Sequence, residues 1–271
     1  MARYRLVAVD LDGTLLNKDW EISPRAREAI RAVQRQNVHV TLATGRMYAS
    51  TLRYARELGL DLPLITYHGA LVKTSQEGRV IYQRLLPRTY ARAIINLVKE
   101  LGYPVNLYFN DGIDRLFVDR VSAATRRYAR QSSVPFYEVP DLLALLDRDP
   151  IKVVVIHAEE VLDALAEESR RRWGEAVYIT KSEPTYLEFL HPEATKGKGL
   201  AAVAAYLGIL REEVMAIGDS YNDLEMFRYA GFAVAMGNAR PEIKAAAHYV
   251  AASNEEDGVA RVLEEFILRQ R

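Results

Sequence analysis

Val7-Ala8-Val9-Asp10-Leu11-Asp12-Gly13-Thr14-Leu15-Leu16 is the stretch on which the reading of this chain turns. A short apolar run ends in two carboxylates one residue apart, followed at once by glycine and threonine. In an open α/β sheet, ligands bind outside the carboxyl ends of the strands. A strand here delivers Asp10 and Asp12 to that edge, and side chains at i and i+2 of a strand share a face. Two acids so close repel, and they ionise most readily beside a cation or with one shared proton. The pair points to a metal site, to a nucleophile with an acid/base partner, or to both. The plain alternative is an Asp-Gly turn that closes a strand.

The chain around this stretch has 271 residues, enough for one large domain or two of ordinary size. Lys+Arg and Asp+Glu both number 36, so the net charge is zero. No extended basic block is present, and neither nucleic acid nor a membrane surface is expected as a partner. Cysteine is absent, which excludes disulfides, thiolate metal sites and cysteine nucleophiles. No leader pattern precedes the first strand, and no apolar run approaches the roughly 18 residues that a membrane span needs. Residues 200–210 are Ala-rich and read as a buried helix. A soluble, cytoplasmic protein is expected, as a monomer or a homodimer.

The first part alternates strand and helix. Residues 4–9 read as a buried strand. Ser23-Pro24 opens a helix over 25–36 with a Ser cap and Pro in its first turn. Residues 38–43 form a strand, Thr44-Gly45-Arg46 lead into a helix over 47–58, and 64–67 form a short strand. The C-terminal part repeats the style, with helices over 198–207, 223–229 and 258–268 and strands over 214–217 and 232–235. Such alternation predicts a doubly wound parallel sheet with helices on both faces. The middle differs. Helices over 89–101, 123–130 and 161–173 are mixed with strand-like runs at 105–109, 115–118, 152–156, 177–180 and 186–190. The spacer Asn110-Asp111-Gly112 is a hairpin signal. The expected organisation is a core of residues 1–83 and 191–271, with an α+β module of residues 84–190 inserted into it.

Three further loops join the first. In Leu42-Ala43-Thr44-Gly45-Arg46, a hydroxyl and flexible amides before a helix suit a phosphate oxygen. A Thr N-cap explains the same residues more simply. Ala194-Thr195-Lys196-Gly197-Lys198-Gly199 puts a lysine at a helix start, which is unfavourable without an anionic partner. A solvated lysine is the alternative. In Ala216-Ile217-Gly218-Asp219-Ser220-Tyr221-Asn222-Asp223, an apolar strand again ends in acids. Carboxylates at a sheet edge fit a hard cation, and Mg²⁺ takes one or two of them together with water and phosphate. Capping of the next helix by Ser220 or Asp219 is the alternative. Together the loops supply a nucleophile, a proton-transfer group, metal ligands, a hydroxyl and a cation. That set suits phosphoryl transfer through an aspartyl-phosphate.

Asp10-x-Asp12-Gly13-Thr14, Thr44-Gly45-Arg46, Lys196-Gly197 and Gly218-Asp219-x-x-Asn222-Asp223 resemble, in order, the four motifs of the haloacid dehalogenase superfamily of phosphatases. The insert between the second and third motifs resembles the C2B cap class. Ala235-Met236-Gly237-Asn238-Ala239 and Ser253-x-x-x-Asp257-Gly258 also look like the Cof-type hydrolases. The resemblance implies a Rossmann-like core with a cap, a Mg²⁺ cofactor and a small phosphorylated metabolite, such as a sugar phosphate, as substrate. It implies that Asp10 attacks phosphorus and binds the metal. Asp12 would protonate the leaving group, then activate water, with its backbone carbonyl on the metal. Leu11 and Gly45 would offer amides to phosphate, Thr44 its hydroxyl, and Arg46 would lie among the substrate-binding residues. Lys196 would neutralise the phosphoryl group and restrain Asp10. Asp219 would be a further metal carboxylate, Asn222 a phosphate contact, and Asp223 a support to the metal or to Lys196. One departure stands out: His68-Gly69-Ala70 occupies the place of an Asn-Gly-Ala, so His68 is expected to face substrate or to pack as a structural residue. The competing readings are a sugar phosphomutase, a phospho-accepting signalling module and a binding protein with an inactive site. Asp12 and the insert count against the signalling module.

Overall fold

Strand β1 (Leu6–Val9) is buried at every position, as a parallel strand covered on both faces must be. The computed structural model of the chain describes residues 3–110, 113–132 and 134–269. Two compact units separate. One comprises the chain up to Gly45, Thr51–Tyr82 and the chain from Thr195 onward; the other comprises Arg46–Ser50 and Gln83–Ala194.

After β1 come α1 (Pro24–Arg35), β2 (His39–Leu42), α2 (Tyr48–Leu58) and β3 (Pro63–Thr66). Ser23 caps α1 by accepting from the Ala26 amide at 3.0 Å, and Pro24 fills the first helical position. Strands β4 (Leu71–Thr74) and β5 (Val80–Gln83) then complete a three-stranded sheet, with β4 antiparallel to β3. Neither was expected from sequence. Each is a four-residue run without a clear period, and pairing alone makes it a strand.

The inserted unit holds α3 (Arg88–Glu100), β6 (Val105–Asn110), β7 (Asp114–Val118), α4 (Ala123–Ser132), β8 (Phe136–Glu138), β9 (Lys152–Ile156), α5 (Glu159–Trp173), β10 (Tyr178–Glu183) and β11 (Tyr186–Leu190). Its sheet has the order β10-β11-β9-β6-β7-β8. The described pairs are antiparallel apart from β7 with β8. β8 was not foreseen, because a three-residue run between Pro135 and Pro140 is too short to show a period. β6 and β7 pair through Asn110 and Asp114, while Asp111 and Gly112 of the proposed turn lie outside the described residues. Alternate residues divide this sheet into two faces. Leu107, Phe109, Val153, Val155, Leu187 and Phe189 join α3 and α5 in an apolar core. The other face carries Tyr108, Lys152, Tyr186 and Glu188, all buried.

The first unit resumes with α6 (Lys196–Leu207), β12 (Val214–Gly218), α7 (Leu224–Tyr229), β13 (Phe232–Ala235), α8 (Pro241–Ala245), β14 (Tyr249–Val250) and α9 (Gly258–Leu263). Its main sheet is parallel in the order β14-β13-β12-β1-β2, and a parallel bridge from Ala43 to Ile65 carries it toward β3. Leu6 and Ala8 pack with α6, α7 and α8, while α1 lies against β2 and α9. This is the doubly wound architecture read from the alternation. β1 lies between β2 and β12, so the strand order reverses there, which is where such sheets bind ligands. Val9 is level with both Leu42 and Ile217. The loops that follow these strands therefore leave the sheet at one height. Among the described residues, no helix is long and apolar enough to cross a membrane.

Between β3 and β4, Tyr67, His68 and Gly69 adopt φ of +50°, +57° and +97°. Three consecutive left-handed residues are costly outside glycine. At Gly69 the conformation is matched by crowding: a Cβ there would lie 2.1 Å from the carbonyl oxygen of Thr195. This turn therefore abuts the start of α6. Gly69→Ala is expected to destabilise the protein by about 2 kcal/mol or more, measured by denaturant unfolding. An unchanged midpoint would show that the turn and α6 can separate freely.

Candidate active site

Lys196 is the first residue of α6, and the helix is capped by Thr195, whose hydroxyl accepts from the Lys198 amide at 3.2 Å. The Lys196 side chain is 1% exposed. Its ammonium donates to Asp10 Oδ1 at 2.7 Å and to Asp223 Oδ1 at 2.6 Å. A solvated lysine is thereby excluded. Burial pulls the ammonium's pKa down, but the charges of Asp10 and Asp223 outweigh it and hold the group above its ordinary value.

Asp10 follows β1 in extended conformation and still donates its amide to Ile217 at 3.0 Å. The chain then leaves the strand. Residues Leu11–Leu15 form an irregular turn closed by Leu15 to Asp10 and Leu16 to Leu11. Asn238 braces this turn by donating to the Gly13 carbonyl at 2.8 Å. Asn254 holds the turn's far end through Leu16 O and is itself tied to Asn238. Sequence reading gave no role to either asparagine. Nothing local to either residue says that it reaches back more than 200 residues.

Asp219 and Asp223 follow β12. Asp219 accepts from the Thr14 hydroxyl at 2.8 Å, which joins the first and fourth loops; Thr14 was absent from the expected site residues. Asp223 uses both oxygens. Oδ1 takes Lys196, and Oδ2 accepts the amides of Asp219 and Ser220, each at 3.0 Å. One oxygen from each of Asp10, Asp219 and Asp223 lies within 4.8 Å of the others, a group able to hold a metal ion. The Asp12 side chain is half-buried outside that group.

Three carboxylates around one ammonium leave two negative charges in a buried place. Burial, then the charge of Asp223, pushes Asp219 up to about 7, while Thr14 and Lys196 pull it back only in part. Asp10 is also pushed up, first by burial and then, against the pull of Lys196, by Asp223, Asp219 and Asp12. These oxygen donors with an unmet demand for positive charge fit a hard divalent cation.

The second loop lies at the same sheet edge. Thr44 is buried, donates its amide to Ile65 at 2.8 Å, and accepts from the His68 amide at 3.0 Å. The helix after it starts at Tyr48, too far on for Thr44 to be its N-cap. His68 is wholly buried and packs on Gly45, where a Cβ would come within 2.3 Å of the ring. Its Nδ1 stands 3.2 Å from Nδ2 of Asn222. Leu11 is buried beside Asp10. Of the expected residues, Asp10, Asp219, Asp223 and Lys196 form one cluster, while Thr44, Gly45, His68 and Asn222 form a second at the same edge. Arg46 belongs to the inserted unit, where its charge lowers the pKa of Tyr128 against the larger effect of burial.

A sequence profile of the haloacid dehalogenase-like hydrolases matches residues 7–263. The chain is 32% identical over 282 residues to the 5-amino-6-(5-phospho-D-ribitylamino)uracil phosphatase YitU of Bacillus subtilis, covering 96% of this chain and 97% of that one. Its fold superposes on TM0651 from Thermotoga maritima with a TM-score of 0.83, at 36% identity and covering 96% and 97% of the two chains. It superposes equally, at 0.83 and 25% identity with 97% and 98% covered, on BT4131, described as a HAD subclass IIB sugar phosphatase.

The raised Asp219 carboxyl gives a pH signature. Without metal, the folded state keeps a proton on Asp219 that the unfolded state releases at about pH 4. The contribution of Asp219 to the stability of the metal-free protein therefore falls as pH rises from there to about 7, and it levels off above. Thermal unfolding in chelator is expected to show a lower Tm at pH 8 than at pH 5. Added Mg²⁺ should raise Tm more at pH 8, where the carboxylates are already ionised. Equal Mg²⁺ shifts at both pH values would remove Asp219 from the metal site.

Proposed function

The chain belongs to the haloacid dehalogenase-like hydrolases and is a phosphatase of that family, and from this premise we propose that it hydrolyses phosphomonoesters of small hydroxylated metabolites in the cytoplasm, with Mg²⁺ and through an aspartyl-phosphate on Asp10. The observation that carries the reading is the Lys196 ammonium, buried and bonded to both Asp10 and Asp223. It holds a carboxylate at the switch point of the sheet, oriented and screened from water. Residues 84–190 are taken as the cap of this enzyme.

Asp10 attacks phosphorus and forms an oxygen–phosphorus bond as the ester bond breaks. Asp12 gives its proton to the departing alkoxide, which leaves as the alcohol. Asp12 then takes a proton from water, whose oxygen attacks phosphorus. The Asp10–phosphorus bond breaks, inorganic phosphate leaves, and the Asp10 carboxylate is restored. Lys196 keeps Asp10 in place and offsets the charge that gathers on the phosphoryl oxygens. Thr44, with the amides of Leu11 and Gly45, holds those oxygens, and Asn222 adds a donor from the opposite loop. Asp10 and Asp219, with the Asp12 carbonyl, would hold Mg²⁺, whose charge offsets that of the carboxylates and the phosphate. Asp223, bonded to Lys196 and two amides, holds Lys196 and the loop after β12 in place beside that site.

Two relatives support the substrate class. YitU is named for a ribityl phosphate and BT4131 is described as a sugar phosphatase; both names describe polyhydroxylated esters. Phosphate release from a panel of sugar and polyol phosphates, with Mg²⁺ and with chelator, tests the reading. Asp10→Asn is expected to abolish turnover, since an amide is no nucleophile. Asp12→Asn should slow it by about 10²–10⁴-fold, the usual worth of a positioned acid/base. Metal-independent release, or substantial turnover by Asp10→Asn, would sink the mechanism. Return of the phosphoryl group to another sugar hydroxyl would identify a mutase.

A further inference from the structure

His68 is wholly buried although its ring carries two polar nitrogens. Two loops of the site meet on it. On one side the ring lies against Gly45, so close that a Cβ there would sit 2.5 Å from Nε2. On the other side Nδ1 is 3.2 Å from the side-chain amide of Asn222. The backbone adds a third link, from the His68 amide to the Thr44 carbonyl at 3.0 Å. Thr44, Gly45 and Asn222 are the residues assigned above to the phosphoryl group. His68 meets all three.

We infer that His68 is a positioning residue that donates from Nδ1 to the amide oxygen of Asn222, and so aims the Asn222 NH₂ at the phosphoryl group. The two ends of an amide and the two tautomers of a neutral imidazole exchange together. The contact is thus satisfied either way round, and the other end of the amide decides. As placed, the amide turns Nδ2 to the ring and leaves Oδ1 buried with no hydrogen-bond partner among the described residues, so the inferred arrangement is the flipped amide. A buried polar atom left unpaired costs free energy. An anion relieves the cost only if the atom carries N–H. Asn222 therefore turns its nitrogen to the anion and its oxygen to the ring, and His68 carries its proton on Nδ1. An asparagine at position 68 would place an amide nitrogen as many bonds from the backbone as Nδ1, and asparagine tolerates the left-handed φ of +57°.

The inference rests on the phosphatase reading of the site, and its test separates the two. Binding of inorganic phosphate in the presence of Mg²⁺ is measured by calorimetry for the wild type, His68→Asn, His68→Leu, Asn222→Ala and the double variant His68→Leu/Asn222→Ala. His68→Asn is expected to bind within about threefold of the wild type, and His68→Leu and Asn222→Ala each about tenfold more weakly. The double variant should bind no more weakly than Asn222→Ala alone, because His68 acts through that amide. A further tenfold loss in the double variant, or a His68→Asn as weak as His68→Leu, overturns the inference. Should His68→Leu fail to fold, the ¹⁵N resonances of His68 in the phosphate-bound wild type decide: a protonated Nδ1 supports it, a protonated Nε2 overturns it. A wild type that binds no phosphate overturns the phosphatase reading and this inference together. Variant ratios on a binding wild type judge the inference alone.

Discussion

A buried ammonium held between two carboxylates organises this protein. Lys196 sits at the head of a helix, nearly without solvent contact, and bonds Asp10 and Asp223 at once. Taking these charges out of water is expensive, and well-packed apolar side chains would often serve stability as well or better. The triad is understandable as a device that holds the Asp10 carboxylate still. It also brings together three chain segments that are far apart in sequence. The loop after β1, the start of α6 and the loop after β12 cannot drift apart without leaving a charge buried and unpaired.

The parallel sheet makes that meeting possible. β2, β1 and β12 lie side by side with Leu42, Val9 and Ile217 level, so each following loop emerges at the same edge. Helices on both faces force the strands to be apolar throughout, and polar residues are displaced to the strand ends. The clustered acids and the lysine are therefore concentrated where the sheet stops. The left-handed turn at 67–69 closes the arrangement from the side. It packs against the Thr195 carbonyl and puts an imidazole between Gly45 and Asn222. Its unfavourable backbone is the local cost of that placement.

The inserted unit uses a different economy of burial. One face of its sheet is an ordinary apolar core under α3 and α5. The other carries the Lys152–Glu188 ion pair, both partners 3% exposed, with Tyr108 beneath the ammonium and the Tyr128 and Tyr186 rings edge-on to one another. An ion pair so deeply buried contributes little to stability, and its two partners constrain the register of β9 against β11.

The sequence by itself determined the fold class, because alternating apolar runs and capped helices leave little choice but a doubly wound sheet, and motif residues must then fall at strand ends. It also singled out Asp10, Asp219, Asp223 and Lys196, which the structure brings together, since their loops are short and their chemistry is specific. Three things waited for the tertiary structure. Short paired strands such as β4, β5 and β8 have no periodic signal and exist only through their partners. The bracing of the Asp10 loop by Asn238 and Asn254, and of Asp219 by Thr14, depends on contacts across more than 200 residues. The place of His68, between Gly45 and Asn222, follows from three consecutive left-handed residues, a geometry that local propensity disfavours and that packing against Thr195 imposes.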